Sequence, residues 1–164
     1  MKFIYKILVP TDFSDLSLAA MEYATSFSKI YEARIYFIHV VEEPSAFAFH
    51  TVEFTSETTM RDIEVSAMNE MKNFLATKLP EVKGIVPVVK RGDVYREIVN
   101  YAEKEEFDLI IMATHGHTGL AHILLGSSAE KVVRHSKVPV MTIKPESMQH
   151  GHEHGVEEHI QSVN

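Results

Sequence analysis

The residues best suited to chemistry lie between Met112 and Ser128, a segment that carries three of the chain's 7 glycines, Gly116, Gly119 and Gly126. An apolar run, residues 108–112, leads into this segment and an apolar stripe follows it, which predicts a strand, a loop and then a helix. Two serines, Ser127 and Ser128, stand where that helix should begin. Backbone N–H groups at such a loop and helix start can surround an anion. The segment is interpreted as a phosphate cradle, and nucleotide binding is the first hypothesis.

Neither common phosphate-binding motif is present in this loop. It has no lysine of the G-x-x-x-x-G-K-[ST] type, and G-x-G-x-x-G does not occur. Phosphates would therefore be held by N–H groups, hydroxyls or a histidine. Two simpler interpretations stay open: the glycines serve only a tight turn, and Ser127 and Ser128 act only as helix caps. Near the loop the sequence shows no paired carboxylates and no arginine finger, so ATP hydrolysis, the alternative activity, is expected to be slow.

A second polar group follows the first apolar run of the chain, at Pro10, Thr11 and Asp12. In open parallel sheets, ligands bind beyond the carboxyl ends of strands, where the strand order reverses. If the first and fourth strands are neighbours, Asp12 shares a crevice with the glycine loop and can accept a hydrogen bond from a ribose hydroxyl or a base edge. The alternative is that Asp12 only caps the first helix.

Strands and helices alternate along the chain. Apolar, β-branched runs predict strands at residues 3–9, 35–41, 85–90, 108–112 and 138–143, and stripes at helical spacing lie between them. Ser14 and Asp93 are the expected caps of the first and third helices. Pro87 predicts that the third strand lies at a sheet edge, and residues 42–56 form a long loop. The pattern indicates an α/β fold: one doubly wound, mostly parallel five-stranded sheet with helices on both faces.

Composition limits the classes of function. The 164 residues suit one domain, expected at 1–145, followed by a polar, flexible tail at 146–164. A net charge of −7 argues against a nucleic-acid surface, and no apolar run approaches a membrane span. The absence of cysteine suits a cytoplasmic protein. In the tail, His150, His152 and His154 have ligand types that suit transition metals, but a flexible tail rarely preorganises ligands, so a solvated tail is the favoured interpretation.

Several motifs together carry a resemblance to a known family. They lie at residues 7–12 with Ser14, at 38–40, at 92–93, at 108–128 and at 137–140. On these motifs the chain, from about Lys6 to Pro145, resembles the universal stress proteins. The ATP-binding branch of that family has the pattern Gly, two residues, Gly, nine residues, Gly, then Ser or Thr. Here the corresponding residues are Ala113, Gly116, Gly126 and Ser127.

The resemblance implies a Rossmann-like sheet of order 3-2-1-4-5, of the adenine nucleotide alpha hydrolase type. It also implies ATP with Mg²⁺ or Mn²⁺ between the first and fourth strands, and a homodimer through the fifth strand, from Val138 to Ile143. The implied role is a nucleotide-dependent switch or adaptor in the stress response. A family member that binds no nucleotide and acts through its dimer surface is the alternative. By position, the implied nucleotide-binding residues are Pro10, Thr11, Asp12, Val40, Met112, Ala113, His115, Gly116, His117, Gly126, Ser127, Ser128 and Ala129.

Ala113 is the one departure from the family pattern, which has glycine there. If this backbone position had a positive φ, the Cβ of Ala113 would cost about 1 kcal/mol or more. If the position is extended, the methyl group is nearly harmless. We expect the extended conformation, because residue 113 directly continues the fourth strand.

Overall fold

The computed structural model describes residues 3–42, 57–114 and 125–144 and contains five parallel strands in the order β3-β2-β1-β4-β5. The predicted fold class and the order implied by the resemblance are both confirmed. The sheet is fully parallel rather than mostly parallel. In chain order the elements are β1 (Lys6–Pro10), α1 (Asp15–Tyr31), β2 (Arg34–Val41), α2 (Glu57–Lys78), β3 (Val86–Arg91), α3 (Val94–Lys104), β4 (Leu109–Ala113), α4 (Ser127–His135) and β5 (Val140–Ile143).

The first strand begins later and ends later than predicted. Phe3 and Tyr5 belong to the apolar run, but they are 57% and 65% exposed and precede the paired residues. At the other end Pro10 does not stop the strand, since the Thr11 N–H still donates to the Ile38 carbonyl at 2.9 Å. Strand amides point alternately to the two sides, so the Pro10 nitrogen faces β4, where the pairing has already ended. A proline therefore fits here without costing a ladder hydrogen bond.

The outermost strands, β3 and β5, also differ slightly from prediction. β5 begins at Val140 rather than at residue 138, because the Val138 N–H turns back to the Ser136 hydroxyl at 3.1 Å. Pro87 lies in β3, which among the described strands pairs with β2 alone, so the predicted sheet edge is confirmed. An edge strand tolerates the donor that proline lacks.

Buried side chains on the two faces of the sheet form two separate cores. Phe37 packs with residues of α1 and α2 on one face, whereas Ile110 packs with residues of α3 and α4 on the other. Along β1, Ile7 and Val9 belong to the first core and Leu8 to the second, as the alternation of a strand requires. Helices on both faces leave the carboxyl ends of the strands as the accessible edge. No helix in the described ranges is both long and apolar enough to cross a membrane.

The helix starts were predicted at the correct residues. Ser14 caps α1 and accepts from the Ser17 N–H, and Asp93 caps α3 and accepts from the Arg96 N–H. α4 begins differently. Its cap position is Gly126, which has no side chain to bind the first N–H groups. The caps stabilise α1 and α3, whereas within the described parts of the chain no side chain binds the first N–H groups of α4.

Asp108 joins the beginnings of β1 and β4. Its Oδ2 accepts from the Tyr5 N–H at 2.7 Å and from the Lys6 N–H at 2.9 Å. Replacing Asp108 by alanine should lower the free energy of unfolding by about 1–2 kcal/mol, because two amides lose a charged acceptor. Urea unfolding measures this. Asp108→Asn keeps an acceptor oxygen and should lose less. Equal stability of Asp108→Ala and the wild type would contradict the assignment.

Candidate functional site

A pocket of about 410 Å³ opens at the carboxyl edge of the sheet. The ends of β1, β2 and β4 form its base, and the beginnings of α3 and α4 form its sides. This is the point where the strand order reverses, the usual ligand position in doubly wound folds. The residues that line it are Pro10, Thr11, Asp12, Ser17, Ile38, His39, Val40, Glu42, Val94, Ile98, Met112, Ala113, Thr114, Gly126, Ser127, Ser128 and Ala129.

The structure brings the described candidate residues together in this one pocket. They come from four separate stretches of the sequence, and each of them is a lining residue: Pro10, Thr11, Asp12, Val40, Met112, Ala113, Gly126, Ser127, Ser128 and Ala129. His115, Gly116 and His117 lie outside the described residues, as do the tail candidates His150, His152 and His154. Among the described residues, no group of three His, Cys, Asp or Glu side chains is placed to hold a metal ion.

A closed set of hydroxyl hydrogen bonds shapes the turn after β1. The Thr11 hydroxyl oxygen accepts from the Phe13 N–H at 2.9 Å and lies 2.9 Å from the Ser17 hydroxyl oxygen. The Ser17 hydroxyl donates to the Ser14 carbonyl at 2.7 Å, so the Thr11 hydroxyl must donate to Ser17. Both protons are therefore used inside the turn. Thr11 shapes the pocket through this network, and its hydroxyl proton is not available to a ligand.

Asp12 stands between the turn and the pocket. Its Oδ1 accepts from the Ser14 N–H at 3.1 Å and from the Ser14 hydroxyl at 2.5 Å. Ser14, not Asp12, is the residue whose side chain caps α1. The alternative that Asp12 itself caps the helix is therefore wrong. Asp12 holds the capping residue and places a carboxylate at the carboxyl end of the central strand.

Phe13 has a left-handed backbone, with φ of 63°. For a residue with a Cβ this conformation costs about 1–2 kcal/mol. The cost is offset by packing, since the Phe13 ring stacks on His39 at 4.3 Å between centroids and lies 5.7 Å from the Phe74 ring. His39 also donates from Nδ1 to the Thr11 carbonyl at 2.9 Å. The end of β2 thereby holds the turn after β1 in place.

His39 was not predicted as a site residue, nor were Glu42, Val94 and Ile98. Their positions in the sequence could have indicated these residues. The motif at 38–40 lies near the end of the second strand, and Asp93 precedes the third helix, so both lie at the carboxyl edge of the sheet. Val40 and Ile98 are buried in the core on the α3 and α4 face, where Val94 and Met112 also pack. These four side chains give the pocket an apolar section that suits a flat heterocycle.

The start of α4 forms the opposite end of the pocket. The Gly126 N–H donates to the Thr114 carbonyl at 2.7 Å, and the first bond inside the helix runs from the Glu130 N–H to the Gly126 carbonyl. The N–H groups of Ser127, Ser128 and Ala129 precede that bond and, within the described parts of the chain, meet no capping side chain. The serines occupy the first two helical positions, so the interpretation that they are caps is wrong. Uncapped amides at a helix start attract anions.

Ala113 has an extended backbone. It is the last residue of β4, pairs with Ile143 and is absent from the described residues with positive φ. Its Cβ therefore causes no backbone strain, as expected. Gly126 has φ of −64° and ψ of 154°, a conformation open to any residue, so the glycine is not required by its backbone angles. A side chain at Gly126 would instead occupy space beside the uncapped amides.

Comparison with known proteins gives a consistent result. The model of the universal stress protein family matches residues 4–144. Universal stress protein MJ0531 of Methanocaldococcus jannaschii is 37% identical over 141 residues, which cover 85% of this chain and 81% of that protein. Universal stress protein MJ0577 of the same organism is 31% identical over 152 residues, 85% of this chain and 94% of that protein.

Solved structures agree with the sequence matches. The structure of MJ0577 has a TM-score of 0.73 and 32% identity, and the match covers 88% of this chain and 99% of that chain. A universal stress protein solved in complex with cAMP shares the fold, with a TM-score of 0.61 at 20% identity over 87% of this chain and 98% of that one. On the family match and the identities to these relatives, the chain belongs to the universal stress protein family.

Proposed function

We propose that the pocket binds ATP and that nucleotide occupancy makes this cytoplasmic protein a dimeric switch or adaptor in the stress response. The observation that carries the proposal is the uncapped start of α4, which shares one pocket with an apolar section. The N–H groups of Ser127, Ser128 and Ala129 suit phosphate, and the side chains around Val40 and Met112 suit a base.

The order of the strands supports one direction for the ligand. β2, β1 and β4 are consecutive in the sheet, so the pocket runs from Val40 past Asp12 to the start of α4. A base at Val40 places the ribose beside Asp12 and the phosphates at Ser127 and Ser128. The match to the family's glycine pattern points the same way, and the relative solved with cAMP shows that this fold accommodates an adenine nucleotide in that protein.

A divalent cation coordinated by the ATP phosphates is compatible with the proposal. The hydroxyl-bearing residues Thr114, Ser127 and Ser128 line the pocket near α4, and Asp12 lines it further toward β1. Mg²⁺ prefers oxygen ligands, keeps several waters and commonly binds through substrate phosphates and one or two carboxylates. Mg²⁺ or Mn²⁺ would therefore arrive with ATP rather than occupy a metal site of the protein alone.

Calorimetric titration with ATP and Mg²⁺ tests the proposal directly. Saturable heat at a stoichiometry of one nucleotide per chain is the expected result. Adenosine and inorganic triphosphate, titrated separately, should each bind more weakly than ATP, because each occupies only one end of the pocket. Absence of saturable heat at millimolar ATP would contradict the proposed function.

We also propose that two chains associate through β5. This strand pairs with β4, and no described strand lies on its other side. The Pro139 and Ile143 carbonyls accept hydrogen bonds from β4 and its end, so the polar groups of the alternate residues Val140 and Thr142 point outward. An outward row of N–H and C=O groups is a template for another strand.

Thr142→Pro should break such a dimer while keeping the fold. The substitution removes an outward N–H, and an edge strand tolerates proline. Light scattering should give twice the chain mass of 18.6 kDa for the wild type and a single chain for the variant. Thr142→Val keeps the N–H and should stay dimeric. A monomeric wild type, or a dimeric proline variant, would contradict association through β5.

A further inference from the structure

Glu42 brings a second carboxylate to the pocket. It is the first residue after β2, is exposed and lines the same cavity as Val40 and Asp12. Its position is held by the strand end, because the Gly92 N–H donates to the Val41 carbonyl at 3.0 Å. The side chain therefore starts from a fixed point at the β2 end of the pocket.

No cation neutralises this carboxylate within the described ranges of the chain. Two basic residues of β3 lie beside the end of β2: Lys90 pairs with Val40, and Arg91 pairs with Val41. The Lys90 ammonium lies over the Tyr101 ring, 4.9 Å from its centroid. Arg91 forms its ion pair with Glu64 on α2, at 3.5 Å, and not with Glu42. Glu42 thus presents an acceptor to the cavity, and a carboxylate can accept hydrogen bonds but not donate them.

The pocket is consequently polarised along its length. Two carboxylates, Asp12 and Glu42, lie toward β1 and β2, whereas the positive end of a helix dipole lies at Ser127 and Ser128. Phosphates are repelled from the first end and attracted to the second. The end near Glu42 therefore favours the part of a nucleotide that carries hydrogen-bond donors and no negative charge.

We propose that Glu42 determines base specificity by accepting a hydrogen bond from the exocyclic amine of adenine. The inference rests on the proposed nucleotide site. Val40 and Ile98 enclose the base in the apolar section, and Asp12, one strand further along, is closer to the ribose. Glu42 follows Val40 by two residues at the end of β2, so the two side chains leave the same face of the strand, and Glu42 lies beside the base that Val40 contacts. A 6-oxo base would bring an acceptor against an acceptor.

Titration of the full chain with five nucleotides, namely ATP, ITP, GTP, 2′-deoxy-ATP and purine riboside triphosphate, tests this assignment. The wild type should bind ATP about tenfold more tightly than ITP and than purine riboside triphosphate, which lacks the amine. Glu42→Ala should lose about tenfold for ATP and little for purine riboside triphosphate, whereas Glu42→Gln keeps an acceptor oxygen and should lose less for ATP. Glu81→Gln, which removes one negative charge outside the pocket, is the matched control and should bind all nucleotides as the wild type does.

Several results would overturn the role of Glu42. If the Glu42 variants bind ATP as tightly as the wild type, the Glu42 carboxylate does not accept a hydrogen bond from the ligand. If the loss is equal for ATP and purine riboside triphosphate but absent for 2′-deoxy-ATP, the partner is the ribose. If the wild type binds GTP more tightly than ATP, and Glu42→Gln loses this preference, Glu42 contacts the edge of a guanine base instead. The proposed function fails separately, by absence of ATP binding to the wild type.

Discussion

Replacing Ser128 by aspartate should weaken ATP binding by about 100-fold without destabilising the protein. An acidic residue in the first turn of a helix interacts favourably with the helix dipole, so α4 should form at least as well as before. The same carboxylate would stand among the amides that the proposal assigns to phosphate. A like charge about 4 Å away costs several kcal/mol at an effective dielectric constant of about 20, enough for the stated loss.

Calorimetry and thermal unfolding of the same preparation separate these two effects. The melting temperature should stay unchanged or rise slightly, while the dissociation constant for ATP increases. Ser128→Asn is the matched control, because it has nearly the same shape as aspartate and no charge, and it should lose far less affinity. If Ser128→Asp binds ATP as the wild type does, the phosphates do not lie at the start of α4.

Thr11→Val should lower the free energy of unfolding by about 2 kcal/mol, although the two side chains have nearly the same shape. The Phe13 N–H loses its acceptor in a partly buried part of the turn, and the Ser17 hydroxyl loses its donor in a buried part. A buried polar group without a partner costs about 1–3 kcal/mol. The Phe13 N–H makes its hydrogen bond to Thr11 from a residue with a left-handed backbone.

Urea unfolding measures this loss, and Thr11→Ser provides the control. Serine keeps the hydroxyl and should retain most of the stability. Because Thr11 acts through the turn, Thr11→Val should also bind ATP more weakly, whereas a loss of affinity without any loss of stability would mean that the hydroxyl contacts the ligand instead. Equal stability of the valine variant and the wild type would contradict the hydrogen-bond network derived for the turn.

The element order of this fold follows from the sequence because the signals are strong and local. Continuous apolar runs indicate strands buried on both faces, and the N-cap residues Ser14 and Asp93 indicate where the first and third helices begin. The exact strand ends do not follow, since a strand ends where its neighbour stops pairing. Phe3 and Tyr5 are as apolar as the residues of β1, but they lie outside the ladder. The arrangement of the strands came from the family resemblance rather than from residue patterns.

One side of the pocket was predictable, because the motif from Met112 to Ser128 contains both the glycine loop and the start of the next helix. Asp12 could be identified because it closely follows a buried strand, and Ser127 and Ser128 because they stand where the glycine loop leads into a helix. His39 and Glu42 could not, because their importance depends on β2 lying next to β1 in space. His39 alternates with two buried residues, so its ring turns toward Phe13, a contact that only the folded turn reveals.

The pocket walls come from segments that are far apart in the chain, and this has a consequence for the lifetime of the protein. The Thr11 turn, Val40 and the start of α4 meet only when the central strands are assembled, so an unfolded chain holds no such cavity. A ligand that binds only the native state stabilises it by about 2.7 kcal/mol at 100 times its dissociation constant. With ATP as that ligand, the fraction of unfolded chains available to proteases would rise when the ATP concentration in the cell falls.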